Sequence, residues 1–320
     1  MTTFEWKSWK IVGILLSIAL LVLAFRKVDF DQLLAVLSGA KLLPLLIVVL
    51  IDFVVTAINS YRWQMIINAT KSVAFLPVFL TTLVGYMANT FLPARSGDLV
   101  RIIILGRKEG ISKTTVLGTL AIDRIFEGVG MLPILLVLPF LGRTPDWLRT
   151  ITLVLIAFLV VLLGLLIILL RAESETWINR GEVKPTWRTR LANLIIKLRE
   201  GLKPLNRIGL MFKVVGISVI SWVIQAFMVH LCLVAIDLHI GFQYSIFVLM
   251  VINLAMLIPS APANLGTFEY SAILALGYLG VDATPALSFA LLYHFAQLIP
   301  TTVAGILAIP ALGMRFRDIS

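Results

Sequence analysis

Arg95, Asp98 and Arg101 stand close together, framed by Pro93 and Gly97, in a chain whose residues are 60% hydrophobic. Two guanidiniums at this spacing can hold a phosphate through paired, planar hydrogen bonds, and the carboxylate can orient one of them or meet an amine. Charge at membrane depth costs roughly 2.5–3.5 kcal/mol per Arg or Asp and persists where it faces protein or water. The group therefore reads as a lipid-headgroup site, with a structural ion pair at a helix break near the inner surface as the alternative. Asn89, Asn264 and Glu269 join Arg95, Asp98 and Arg101 as candidate substrate-binding residues, with the simpler reading that Asn89, Asn253 and Asn264 tie down backbone freed at such breaks.

Further polar groups lie elsewhere along the chain. Asp123, Arg124 and Glu127 sit at i,i+3 and i,i+4 spacing in an apolar run, so they can neutralise one another or form a layer behind Arg95 and Arg101. A weaker copy of the first stretch follows at Pro259, Pro262, Asn264, Gly266 and Glu269. Glu269 has no cation near it in sequence, so an arginine from the other half of the chain is its expected partner, with exposure to water as the alternative. His294 reads first as a packed, hydrogen-bonded histidine. No metal cluster emerges: Cys232 is the single cysteine, and the three histidines are scattered. No nucleophile–base pair and no G-x-x-x-x-G-K-[ST] sequence is present, so no cofactor is expected, and active transport would need an ion gradient or another subunit.

The elements that must position these residues are membrane helices. Mean hydropathy is +1.01 and only 14% of residues are charged, against about 25% in soluble domains. Apolar runs near 20 residues long predict an all-α polytopic bundle of six to eight spans rather than an outer-membrane barrel. The first run, 11–25, is read as a retained span. The net charge of +10 follows from the concentration of Lys and Arg in cytoplasmic loops and does not point to nucleic acid. Residues 171–213 carry ten Lys or Arg against four Glu, which predicts a cytoplasmic loop. Leu191, Leu194, Ile195, Leu198 and Leu202 follow helical spacing within it. That amphipathic helix either lies on anionic lipid of the inner leaflet or docks on the bundle.

Residues 11–141 and 151–312 each read as two spans, a run into a Pro/Gly break, a short run out and a closing span. A cytoplasmic N-terminus, a cytoplasmic 171–213 loop and a cytoplasmic C-terminus are compatible with five such elements per half only if each broken pair is re-entrant. The second half is then inverted relative to the first, a transporter architecture. The alternative has one or both broken pairs fully spanning. Tyr61, Arg62 and Trp63, closing the second span at 42–59, read as an interfacial anchor.

Four stretches carry a family resemblance. Residues 89–101, from Asn89 through Pro93, Arg95, Gly97 and Asp98 to Arg101, resemble the N-x-x-x-P-x-R-x-G-E-x-x-R of the flippase-like membrane domain of the lysylphosphatidylglycerol synthase family. Asp98 stands where that family has Glu. Asp123-Arg124-Ile-Phe-Glu127 is similar to its E-R-x-x-D with the acids exchanged. Pro259 to Glu269 is similar to its P-x-x-P-G-G-x-G-x-x-E, with Ala263 and Asn264 in place of two glycines. Tyr293-His294 stands where the family has Tyr-Arg before its last proline, here Pro300. The resemblance covers nearly the whole chain and implies a cell-membrane protein that moves a phospholipid or polyprenyl-linked lipid between leaflets. Lysyl transfer is not implied, because in two-domain members it belongs to a separate soluble domain. An accessory partner of a lipid synthase and an intramembrane enzyme on lipid phosphates are the competing readings; a homo-oligomer is compatible with each.

Overall fold

The computed structural model describes residues 3–92, 96–141, 144–171, 201–258 and 260–314. The expectations placed on Pro93, Arg95 and Pro259, and on the amphipathic stretch up to residue 200, lie outside these residues. Eleven α-helices and no strand occur among the described residues. They are α1 (Thr3–Phe25), α2 (Phe30–Ser38), α3 (Leu42–Asn68), α4 (Phe75–Phe91), α5 (Gly97–Glu109), α6 (Lys113–Leu141), α7 (Asp146–Arg171), α8 (Ile208–Ala235), α9 (Phe242–Ala255), α10 (Thr267–Tyr278) and α11 (Ala283–Ala311). The chain is an all-helical polytopic membrane protein. Helices α3, α8 and α11 are each long and apolar enough to cross a bilayer, and 13–25, 75–91 and 242–255 are shorter apolar helices.

The two faces of α3 show how such a helix sits between lipid and protein. Leu42, Leu46, Leu50 and Val54, four residues apart, are exposed, as a lipid-facing stripe should be. Val48, Asp52, Val55, Asn59 and Arg62, spaced by three or four, are buried against the bundle. This face packs extensively on α8, while α4 packs on α11, and α6 crosses both α3 and α8. The main apolar core unites Val48, Met131, Leu135, Trp222, Val229, Phe247, Phe268 and Phe289 from α3, α6, α8, α9, α10 and α11.

Helices α4 and α5 form a close pair, as do α9 and α10. At 14 and 12 residues, α9 and α10 each reach only about 20 Å at ~1.5 Å per residue. At one end of the bundle Lys71, just before α4, donates to the Glu109 carbonyl that closes α5. Lys108 there donates to the Leu312 carbonyl at 3.0 Å. At the other end the Lys41 N–H donates to the Ala235 carbonyl at 2.8 Å, and Asp29, which caps α2, gives its backbone N–H to Thr284 Oγ1 at 3.1 Å. Lys41 also pairs with Asp237 and holds that carboxyl below the usual carboxylate range, chiefly by its hydrogen bond. Both side chains are exposed, so the pair contributes little to stability.

Several boundaries differ from the sequence reading. The polar 26–41 segment contains α2, whose start is fixed by Asp29 accepting from the N–H groups of Asp31 and Gln32. Helix α3 runs on past residue 59 to Asn68, so Arg62 and Trp63 are buried rather than interfacial anchors. Helix α8 begins at Ile208, inside the expected loop. Leu202 packs into the protein with Ile66, Ile122 and Met211 rather than on a membrane surface.

Candidate functional site

Six charged side chains from α3, α5 and α6 meet inside the bundle. Arg62 Nε donates to Asp123 Oδ1 at 2.8 Å, and both side chains are almost wholly buried, at 1% and 2% exposure. Its Nη1 donates to Ser218 Oγ on α8 at 3.1 Å, and its Nη2 lies 3.6 Å from Glu127 Oε2. Arg124 holds Asp98 with two bonds, Nε to Oδ2 at 3.1 Å and Nη2 to Oδ1 at 2.7 Å. Its Nη1 donates to Glu127 Oε2 at 2.7 Å. This forked geometry is available to arginine and not to lysine.

Arg101 lies deeper. Its Nη1 is 3.4 Å from Asp98 Oδ1, its Nη2 is 3.5 Å from Thr82 Oγ1, and its guanidinium sits 4.2 Å from the centre of the Trp63 ring. The Nε of this 2%-exposed side chain has no hydrogen-bond partner. A cation over the indole face replaces part of the hydration it has lost. Two glycines make room for it. A Cβ at Gly85 would meet Arg101 Cγ at 2.5 Å, and one at Gly97 would meet the Gly85 carbonyl at 2.0 Å. Asn89 Oδ1 accepts from the Gly97 N–H at 2.8 Å, so Asn89 does secure the backbone where α5 begins.

The accessible part of the cluster is Arg124 with Asp98, at 36% and 32% side-chain exposure. Arg101, expected to grip a headgroup directly, is enclosed, while Arg124, expected behind it, is open. The motif order in sequence conceals this, because α6 crosses α5 and brings residue 124 outward. The three cations Arg62, Arg101 and Arg124 balance the three acids Asp98, Asp123 and Glu127. One further cation, Arg95, precedes Asp98 by three residues.

The second motif forms a separate polar group that does not join these six charges. Glu269 accepts from the Gly266 N–H at 2.6 Å, capping α10, and its other oxygen lies 2.6 Å from His294 Nδ1. The expected arginine partner from the other half is thus corrected to a histidine of the same half, stacked 4.2 Å from the Phe268 ring. Water exposure of Glu269 is corrected too, since it is buried. Ala263 and Asn264 both adopt a left-handed backbone, φ 56°, the conformation that glycine takes without strain. Asn264 Oδ1 accepts from Ser260 Oγ at 3.1 Å, and Asn253 donates to the Leu249 carbonyl within its own helix at 2.9 Å. Among the described residues neither holds freed backbone. The Pro262–Asn264 turn packs on α4, and the Ala261 N–H donates to Ser17 Oγ of α1 at 2.8 Å.

Arg62 is the residue that the sequence reading missed. Its signal is its three-residue spacing from Asn59 on the buried stripe of α3. No group of three or more His, Cys, Asp or Glu capable of holding a metal occurs among the described residues. An apolar groove of about 400 Å³ between α7, α9 and α10, lined by Trp147, Phe247, Val251, Leu254 and Tyr278, includes none of the six charges.

The family described as the lysylphosphatidylglycerol synthase TM region matches residues 10–305. A UPF0104 membrane protein of Methanocaldococcus jannaschii is 26% identical over 215 residues, covering 64% of this chain and 86% of that protein. A UPF0104 membrane protein of Methanothermobacter thermautotrophicus is 25% identical over 291 residues, covering 84% and 85%. A phosphatidylglycerol lysyltransferase of Staphylococcus aureus is 30% identical over 93 residues, which is 29% of this chain and 11% of that enzyme.

Proposed function

The chain belongs to the lysylphosphatidylglycerol synthase TM family, and from that premise we propose that it is a lipid flippase, moving a phospholipid or polyprenyl-linked lipid with an anionic headgroup between leaflets. The observation that carries the reading is the interior charge cluster opening at Arg124 and Asp98. Arg124 can exchange one carboxylate oxygen for a phosphate oxygen without losing its forked geometry. Arg101 and Arg62 keep the acids compensated while it does so. A lipid with a polar head needs such a path, because unpaired charge in hydrocarbon is costly.

The architecture proposed for this activity is two inverted halves, 11–141 and 151–312, in one membrane domain. Support comes from the two close helix pairs. The start of α4 and the end of α5 are linked at one bundle end through Lys71 and Glu109. The end of α10 leads into α11 at the opposite end, where Asp29 meets Thr284. Two hairpins entering from opposite sides, with the second turn lying on α4, fit re-entrant elements that meet near mid-membrane. The end with Lys71, Arg107, Lys108, Lys113 and Arg207 would face the cytoplasm of a cell membrane, with both termini there.

A role as accessory to a lipid-synthesis enzyme, and a basic 171–213 loop that binds anionic lipid, remain compatible with this placement. The test is reconstitution in liposomes with fluorescent phosphatidylglycerol and a membrane-impermeant quencher. Wild-type protein should expose inner-leaflet label well above the protein-free rate. Rates equal to protein-free vesicles across zwitterionic, anionic and polyprenyl-phosphate lipids would sink the flippase reading.

A further inference from the structure

Midway along α3 lies a carboxyl group that the flippase reading leaves unused. Asp52 falls between Val48 and Val55 on the bundle-facing stripe and is 8% exposed. Ten residues separate it from Leu42, about 15 Å along the axis, close to half of a ~30 Å hydrocarbon core. Its Oδ2 has no hydrogen-bond partner. No ion pair among the described residues includes it.

The titratable groups on helices packed against α3 are Tyr293 and His294 on α11, Lys213, His230 and Cys232 on α8, Tyr86 on α4, and Lys113, Asp123, Arg124 and Glu127 on α6. Tyr293 lies within electrostatic reach of Asp52. Tyr86 and the α6 residues belong to the Arg62 end. Arg124 is engaged with Asp98 and Glu127, His294 with Glu269 and His230 with Ser245 of α9, and no ion pair among the described residues joins any of these groups to Asp52. A carboxylate in apolar surroundings with no cation against it is neutralised rather than left bare.

Asp52 lies on the same buried side of α3 as Arg62 of the charged cluster. Thr56, Asn59 and Arg62 continue along the buried side of α3. Asn59 Oδ1 accepts from Ser221 Oγ at 2.9 Å, and Arg62 donates to Ser218 Oγ at 3.1 Å, both serines lying on α8. This polar seam follows the α3–α8 contact through an otherwise apolar core.

We infer that Asp52 is a proton-coupling site: its carboxyl carries a proton in the present arrangement and releases it, leaving a carboxylate, when α3 and α8 rearrange to admit water. Lipid movement at the cluster would then draw on a proton gradient. The inference rests on the flippase reading, and the experiment separates the two. Full-length protein is placed in vesicles of phosphatidylethanolamine and phosphatidylglycerol with fluorescent phosphatidylglycerol and an entrapped pH dye. An imposed pH gradient should change the wild-type rate severalfold, with proton flux accompanying the lipid. Asp52→Asn should give one rate with or without the gradient, and Asp52→Glu should keep a response.

Infrared difference spectra of the same preparations need no lipid movement. They should show a carboxylic-acid C=O band at neutral pH that Asp52→Asn lacks. A full gradient response in Asp52→Asn, or no such band in wild type, overturns the proton site and leaves the flippase reading standing. Wild-type protein that moves no lipid under any gradient overturns the flippase reading, and the coupling role with it.

Discussion

Arg62→Met should destabilise the bundle by about 3–5 kcal/mol, because it strands the buried Asp123 carboxylate without its cation. Methionine fills much of the vacated volume, so the loss is electrostatic more than steric. Thermal unfolding in detergent should show it as a large fall in Tm. The double variant Arg62→Met/Asp123→Leu should recover most of the loss, since replacing a buried pair with apolar residues is often neutral. A double-mutant cycle would then report strong coupling between the two positions. Additive losses would mean that Arg62 and Asp123 do not stabilise the bundle as a pair.

Arg124→Gln is the second large effect, and it should appear in function rather than folding. Glutamine removes the forked contact to Asp98 and the bond to Glu127. Arg101 remains beside Asp98 and Arg62 remains beside Glu127, so neither acid is abandoned. A charge-assisted hydrogen bond is worth about 1.5–3 kcal/mol, which corresponds to about a ten- to hundredfold loss in lipid movement. Arg124→Lys should fall between the two, keeping the charge without the fork. Wild-type rates in Arg124→Gln would remove the cluster from the transport path.

The helices and part of the site were legible in the sequence. Asp98, Asp123, Arg124 and Glu127 stood out because charge is rare in an apolar run, and their one-turn spacing put 123, 124 and 127 together. What they pair with was not legible. Arg62 follows an apolar run and precedes a tryptophan, the usual mark of an interface, and only the continuation of α3 to Asn68 buries it. The exchange of roles between Arg101 and Arg124 depends on the close approach of α4 and α5 at Gly85 and Gly97, a tertiary fact with no periodic signal. The same holds for His294. Its contact with Glu269 bridges two helices of one half, where reasoning from charge alone looked for an arginine in the other. The left-handed Ala263 and Asn264 show why glycines would suit that turn, although neither residue advertises the geometry.

Whether a phosphate-bearing headgroup enters the cluster can be measured directly with phosphatidylglycerol carrying a photoreactive group on its head. After irradiation of wild-type protein in vesicles, mass spectrometry should map the adducts to α5 and α6 around Asp98 and Arg124. Unlabelled phosphatidylglycerol should compete with them, and Arg124→Gln should lose them. Adducts confined to lipid-facing positions such as Leu46, Leu50 and Phe140, unchanged in Arg124→Gln, would contradict a headgroup path through the charged interior.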